Sequence, residues 1–419
     1  MLSTNRDRGT EGVPVGLREG STLATTSETD ESTRTDRDHL ALAVADAGWY
    51  TTENLFAEVP ESRASTLLLR CADVRVAWSK GERPWSWNRP AARTSPGIWR
   101  RDLVLPSGWM KTYPRIGMRP IGRAIRSWRA RSGGEGPLAL VMTYPYYLHL
   151  ADLVWPDRLV YFNVDDYRLY WPKVADEVTK LEHRAVREAD LTVCTSLQRA
   201  EELRRALPEA TGKIRHLPHG APSIAIPSSP RHLPTEPPAD LAHLPRPLIG
   251  YVGTLEDRVD WGLMDAVARA NPAASIVLVG RVGADGEEPW QRDRRACLAR
   301  PNVHAIGWRA QSTIDAYNRS FDLGLIPYRV DHPFNQASCP TKIMDYMAAG
   351  RPVVSTDLPE CRLHGDLFDV VTTDDFVGAV GSRIAEGPDD GRAALRLRYA
   401  RENSCARVAS RLLDWIRPG

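Results

Sequence analysis

Long hydrophobic runs are missing from this chain of 419 residues. None approaches the roughly 18 residues that a membrane-crossing helix needs, so no such helix is expected. Charge of one sign is missing too. Fifty-five Lys and Arg face 53 Asp and Glu, and a chain so balanced is not a polycation built for nucleic acid. Cysteine is scarce: the six, at 71, 194, 297, 339, 361 and 405, form no C-x-x-C and no Cys/His zinc spacing. That argues against structural zinc and for a reduced, cytoplasmic setting. The G-x-G-x-x-G dinucleotide fingerprint is absent as well. What is present is 42% hydrophobic and 26% charged residues, enough for a substantial core over about two to three domains.

Residues 1–38 hold 12 Ser and Thr and 13 charged side chains. They have too little apolar surface to offset chain entropy and read as disordered, with no hydrophobic core of a secretory signal. Residues 39–220 then alternate strand and helix patterns. Strands are expected at 74–79, 138–144, 159–164, 191–196 and 214–218, and helices at 119–131, 173–189 and 197–206. Residues 221–247 carry eight Pro in 27 positions, a stiff connector and the natural domain boundary. Residues 248–390 alternate more cleanly, and 391–419 read as one terminal helix. Short apolar strands between amphipathic helices imply parallel sheets covered on both faces, in a doubly wound α/β architecture. Ligands then bind at strand C-terminal ends and between the domains.

The most informative stretch runs from Ser338 to Thr356. Pro340 suits the first turn of a helix, Gly350 stops it, and a buried strand follows. The amides of Thr341, Lys342 and Ile343 would face a cleft at the positive end of the helix, suited to a diphosphate. Lys342 adds a full charge. Asp345, one turn on, could accept two ribose hydroxyls. By periodicity alone a plain capped helix, with Asp345 solvated, is an equal reading.

The stretch resembles the donor-nucleotide motif of retaining glycosyltransferases with the GT-B fold, family 4-like (glycosyl transferases group 1), where P-x-K-x-x-E-Y-x-A-x-G-x-P-V-V is common. The matching positions are Pro340, Lys342, Asp345 in place of Glu, Tyr346, Ala348, Gly350, Pro352, Val353 and Val354. Gly250, Gly253, Thr254 and Arg258 are similar to the family's first C-domain strand, Gly loop and following basic residue. Gly280 and Arg281, Gly307, and Tyr328 fall on later landmarks. Asn163 to Tyr167, Glu182 and His216 to Gly220 resemble those of the acceptor domain.

The resemblance implies two Rossmann-like domains facing across a cleft, with the last helix crossing back. It implies a hexosyltransferase-type enzyme that moves a sugar from a nucleotide-diphosphate donor to a sugar, lipid-linked or small-molecule acceptor with retention, in polysaccharide, glycolipid or glycoconjugate biosynthesis. No cofactor and no metal are expected. Gly253, Thr254, Arg258, Gly280, Arg281, Gly307, Tyr328, Ser338, Pro340, Thr341, Lys342, Ile343 and Asp345 would bind the donor. Asp165, Asp166 and His149 are the catalytic candidates. Asp165 and Asp166, adjacent after a strand, could orient an acceptor hydroxyl or an Arg, or simply cap a turn.

Two departures stand out. The family's usual first acid, eight residues before the second, is Ala337 here, leaving Asn335, Gln336 or an amide to meet the sugar. No His follows the strand ending at Tyr144; His149 lies beyond and reads as a helix-surface residue. The alternatives are a GT-B nucleotide-sugar epimerase or hydrolase, and a non-catalytic nucleotide-sugar-binding partner protein. Residues 83–131 hold 12 Arg and Lys against Asp102 alone, with Trp85, Trp87, Trp99, Trp109 and Trp128. An anionic membrane surface, met peripherally from the cytoplasm, is the partner this stretch suggests, and salt-sensitive liposome binding would reveal it. A domain helix with solvated Arg is the plainer reading, favoured for the apolar face.

Overall fold

A computed structural model describes residues 39–48, 50–79, 89–132, 136–223, 226–227 and 236–417. The segment 1–38, residues 83–88 of the Arg/Trp-rich stretch and much of the Pro-rich connector lie outside the described residues.

Among the described residues the strands form two sheets. The first contains β1 (Leu40–Ala45), β2 (Ala64–Asp73), β3 (Ala92–Ser95), β4 (Ile98–Leu105), β5 (Leu138–Met142), β6 (Arg158–Asn163), β7 (Leu191–Cys194) and β8 (Ile214–His216), in the order β3-β4-β2-β1-β5-β6-β7-β8. Its pairings are parallel except β3 with β4. The second contains β9 (Leu248–Val252), β10 (Ser275–Val279), β11 (Val303–Gly307), β12 (Leu323–Ile326), β13 (Val353–Thr356) and β14 (Asp369–Val371), in the order β11-β10-β9-β12-β13-β14. That is the doubly wound order, which opens a crevice where strand direction of travel reverses, beyond the C-terminal ends of β9 and β12. In the first sheet the reversal lies between β1 and β5. β1 (LALAVA) and β5 (LALVM) are buried at every position, as strands covered on both faces must be.

Each sheet has its own hydrophobic core. The end of the chain joins them. In place of one terminal helix there are two, Ala393–Glu402 and Cys405–Ile416. Arg396 of the first is fully buried, ion-paired to Asp390 and bonded to the Gly350 carbonyl at 3.2 Å, which ties it to the second domain. The second buries Val408, Leu412, Leu413 and Ile416 in the core of the first domain. The break comes where the chain recrosses. Cys405 N–H donates to the Ala221 carbonyl at 2.8 Å and Ala221 N–H to the Asn403 carbonyl at 2.9 Å, so both interdomain crossings run side by side.

One local expectation changes and another holds. Residues 74–79 are a helix, Val74–Ser79, not a strand. The Asp73 carboxylate accepts the Arg75 amide at 2.8 Å and turns the chain. Val76 and Trp78, which looked like strand residues, are exposed. The Arg119–Ser132 helix buries Ile121, Ala124, Ile125 and Trp128 in its own domain. A lipid surface could therefore meet only its Arg side, of which Arg126 and Arg129 already donate to the Leu153 and Gly136 carbonyls. No helix of the described residues is long and apolar enough to cross a membrane.

Candidate active site

A cleft of about 280 Å³ lies at the crevice of the second sheet. Gly253 and Thr254 after β9, Gly280 and Arg281 after β10, Trp308 and Arg309 after β11, and Thr341, Lys342 and Asp345 from the helix Lys342–Ala349 line it. The two Gly loops touch. A Cβ on Gly280 (φ 158°) would stand 1.9 Å from the Gly253 carbonyl, and one on Gly253 (φ 149°) would stand 2.5 Å from Lys342 Nζ. Only Gly permits this approach of backbone to cation.

Lys342 is buried. Its ammonium donates to the Tyr328 hydroxyl at 2.6 Å and lies 4.8 and 5.0 Å from the Tyr251 and Tyr328 ring centres. Among the described residues it makes no ion pair. Although burial opposes it, Lys342 and Arg258 hold the Tyr328 phenol below its ordinary pKa. Arg258 is aimed by two bonds, from Nε to Asn335 Oδ1 at 2.8 Å and from Nη2 to Ser338 Oγ at 2.9 Å. Asn335 in turn donates to the Arg258 and Arg329 carbonyls. Asn335 is thus spent on positioning Arg258, Gln336 donates to the Val330 carbonyl, and Ala337 is buried. Of the three helix-end amides, Ile343 N–H is turned back to the Pro340 carbonyl at 3.1 Å, because the helix starts with a tight turn. Those of Thr341 and Lys342 have no acceptor among the described residues. Pro340 supplies the turn, and Gly307 (φ 81°) lets β11 swing away from the cleft.

Asp345 faces both this cleft and a contiguous one of about 290 Å³ lined by Tyr50, Gln311, Ile314 and Asp315. Burial, opposed by Lys342 and helped by Asp315, raises its pKa to about 6. The sign matters. The native state keeps this proton up to about pH 6, whereas the unfolded chain releases it at the ordinary carboxyl value. Native stability therefore falls as pH rises through that window, by roughly 3 kcal/mol. Asp345→Asn is expected to raise the melting temperature at pH 7 and to flatten its dependence between pH 4 and 7. Thermal melts across that range check it, and an unchanged slope would count against the buried carboxylate.

Tyr50 had no signal in the sequence. It opens the helix Tyr50–Ala57 after β1 of the first domain, yet it lines the cleft of the second. Burial and the nearby Asp345 raise its pKa. Trp308 is 58% exposed, with Arg281 5.5 Å from its ring, and offers a flat face.

The two acids of the first domain separate. Asp166 caps the turn Tyr167–Tyr170, takes both arms of Arg168 at 2.8 and 2.6 Å, and lies 3.7 Å from buried Arg199. Arg199 is also paired with Glu182 at 2.8 Å and with Glu202. Despite burial, these cations lower the Asp166 pKa. Asp166 is a scaffold residue, not a free catalytic group. Asp165 Oδ2 accepts the Tyr170 hydroxyl at 2.7 Å, while its buried Oδ1 has no partner. Burial raises its pKa against the pull of Tyr170 and Arg258, which places it beside the second domain. The Tyr170 and Phe334 rings meet across the domains at 4.8 Å. His149 lies elsewhere, on the 3-10 turn Pro145–Leu150, where burial and then Arg184 and Arg115 lower its pKa. It lines neither cleft, and it feels the charge of Arg184 on the helix Ala175–Glu188.

His216 and Glu360 join the domains at 3.0 Å, and Glu360 also accepts the Leu197 amide at 3.0 Å. A carboxylate of one domain thus caps a helix of the other. Burial lowers the His219 pKa to about 4.

Residues 246–386 match the model of the family described as glycosyl transferases group 1. That match covers the second domain alone. TuaH of Bacillus subtilis (strain 168), described as a teichuronic acid biosynthesis glycosyltransferase, is 24% identical over 229 residues, 54% of this chain. The chain spans about half the length of that relative, 56%. Among solved structures, HepE of Anabaena with UDP-glucose is similar with a TM-score of 0.58 at 14% identity, covering 90% of this chain and 98% of that one. The UDP-forming trehalose-phosphate synthase of Burkholderia xenovorans with glucose-6-phosphate has a TM-score of 0.59 at 11% identity, covering 91% of this chain and 100% of that one. At such identities the likeness is one of fold, and the fold is GT-B.

Proposed function

We propose that this chain is a group 1-type glycosyltransferase, a nucleotide-sugar-dependent hexosyltransferase that acts with retention in polysaccharide or related glycoconjugate synthesis. The observation that carries the reading is the buried Lys342 ammonium. It has no acid partner among the described residues, and it lies under two touching Gly loops beside Arg258. A buried cation with no ion pair, held by a hydroxyl and two ring faces and with Asp345 near, gains from an anion set against it, and a diphosphate fits. Thr341 and Lys342 amides add donors at the helix end. Lys342 and Arg258 then offset charge growing on the leaving diphosphate, so that no metal is required of the site. Asp345 receives the ribose hydroxyls, Trp308 stacks on the base, and Tyr50 closes over both from the first domain. The neighbours HepE and trehalose-phosphate synthase carry UDP-glucose or form UDP by their descriptions, which supports UDP as the first nucleotide to try. Asp165 positions the acceptor hydroxyl. Gly253, Thr254, Gly280, Arg281, Tyr328 and Ser338 shape the donor side.

Ala337 in the place of the usual first acid favours one second reading, a donor-binding protein without turnover. A thermal-shift series separates the cases. UDP and UDP-sugars at 100 times Kd are expected to stabilise the native state by about 2.7 kcal/mol, and UMP by less. No shift with any nucleoside diphosphate would end the donor reading. A shift without transfer or hydrolysis over an acceptor panel would favour the second.

A further inference from the structure

We propose that the first domain holds an acceptor whose sugar ring rests on Trp171 and whose anionic group, a ring carboxylate or an attached phosphate, meets Lys111. The inference rests on the transferase reading above and adds the acceptor's chemistry to it.

At the C-terminal ends of β5 and β6 the chain gathers Tyr144, Tyr146, Tyr167, Tyr170 and Trp171. Ring centres lie 4.5 Å apart for Tyr144 and Tyr167, 5.9 Å for Tyr144 and Trp171, and 5.7 Å for Tyr146 and Trp171. Tyr167 is fully buried and donates to the Thr143 carbonyl, so it anchors the group. Tyr144 and Trp171 are partly open and Tyr170 is exposed. Partly exposed, packed aromatic side chains suit the apolar C–H face of a pyranose, and such rigid rings lose little entropy on binding.

The Lys111 ammonium stands 3.8 Å from the Trp171 ring centre and 5.8 Å from that of Tyr146. It makes no ion pair among the described residues, and burial lowers its pKa. An exposed ammonium held only by ring faces is free to turn toward an anion set against the same rings. The platform also leads to the reaction. The Tyr170 ring is 6.4 Å from Trp171, about the reach of one sugar unit, and its hydroxyl sits on Asp165. Beyond it Phe334 lies 5.8 Å from the Arg258 guanidinium. A neutral aglycone would use the rings and leave Lys111 idle.

The test uses the full chain with saturating UDP and three probes: methyl glucoside, methyl glucuronide and glucose 1-phosphate, read by saturation-transfer NMR titration. The anionic probes are expected to bind about tenfold tighter than methyl glucoside, with the gap closing in high salt. Lys111→Ala is expected to erase the gap while leaving UDP affinity unchanged. Trp171→Ala is expected to weaken all three about tenfold, and Trp171→Phe to restore most of the loss if the Ala variant misfolds. Which anionic probe binds better tells the ring carboxylate from the phosphate. Equal binding of charged and neutral probes, no saccharide binding to a UDP-bound chain, or a gap that survives Lys111→Ala each overturns the proposal. Failure of the wild-type chain to bind UDP would instead overturn the transferase reading beneath it.

Discussion

Lys342→Met is expected to lower turnover by about two to three orders of magnitude, the usual effect of losing one donor aimed at charge that develops in a transition state. The melting temperature is expected to hold or rise. The reason is in the surroundings. The ammonium sits under Gly253, bonded to Tyr328 at 2.6 Å, and makes no ion pair among the described residues. In the free protein this charge is a burden, since burial without an ion pair is unfavourable and a neutral hydroxyl and two rings offset it only in part. A Met of similar shape fills the space without it. A diphosphate reverses the balance, and more so as its charge grows on bond cleavage. Steady-state kinetics with a nucleotide sugar, beside thermal melts, check both halves. Unchanged turnover would remove Lys342 from the chemistry, and a sharp loss of stability would make it a structural residue. Tyr328→Phe is the companion variant: it keeps the charge, frees one proton of the ammonium, and is expected to cost less.

The second large effect separates two neighbours. Asp166→Ala is expected to destabilise the protein by about 1–3 kcal/mol, because it removes the turn cap and the two-armed partner of Arg168 and leaves Arg168 and buried Arg199 to share the remaining acids Glu182 and Glu202. Asp165→Asn is expected to leave the melting temperature nearly unchanged and to lower turnover about a hundredfold, in the range of a lost proton-handling group. Donor affinity is expected to stay the same, since Asp165 belongs to the first domain. Its free, buried Oδ1 beside a Tyr170-bonded Oδ2 is suited to receive an acceptor hydroxyl. Denaturant melts and a KM-against-kcat split for donor and acceptor decide the matter. Equal loss of stability in both variants would place Asp165 in the scaffold with Asp166.

In the chain these two acids are indistinguishable. Both follow the same strand, and they stand side by side just before the turn Tyr167–Tyr170. Asp166 is committed by Arg168, two residues on, together with Arg199, which arrives from the helix Leu197–Ala206 with Glu182 behind it. Lys342 was easier to find, because its spacing from Pro340, Gly350 and Pro352 is local. The Ile343 amide was misplaced for a local reason as well: helix periodicity does not tell whether the first turn closes on i−3.

By itself the sequence determined the alternation of apolar strands with amphipathic helices, hence two doubly wound sheets, and the loop-helix-strand unit from Ser338 to Thr356. These are set by residues within a few positions of one another, where backbone geometry and periodicity speak directly. Tertiary structure alone decided that Tyr50 reaches the cleft of the other domain, that Asn335 holds Arg258 across 77 residues, and that Glu360 caps a helix 163 residues away. It also decided that the terminal segment breaks at Asn403 to recross beside Ala221. Such contacts arise only when two sheets are brought face to face, and no spacing along the chain encodes the distance between surfaces that folding has yet to form.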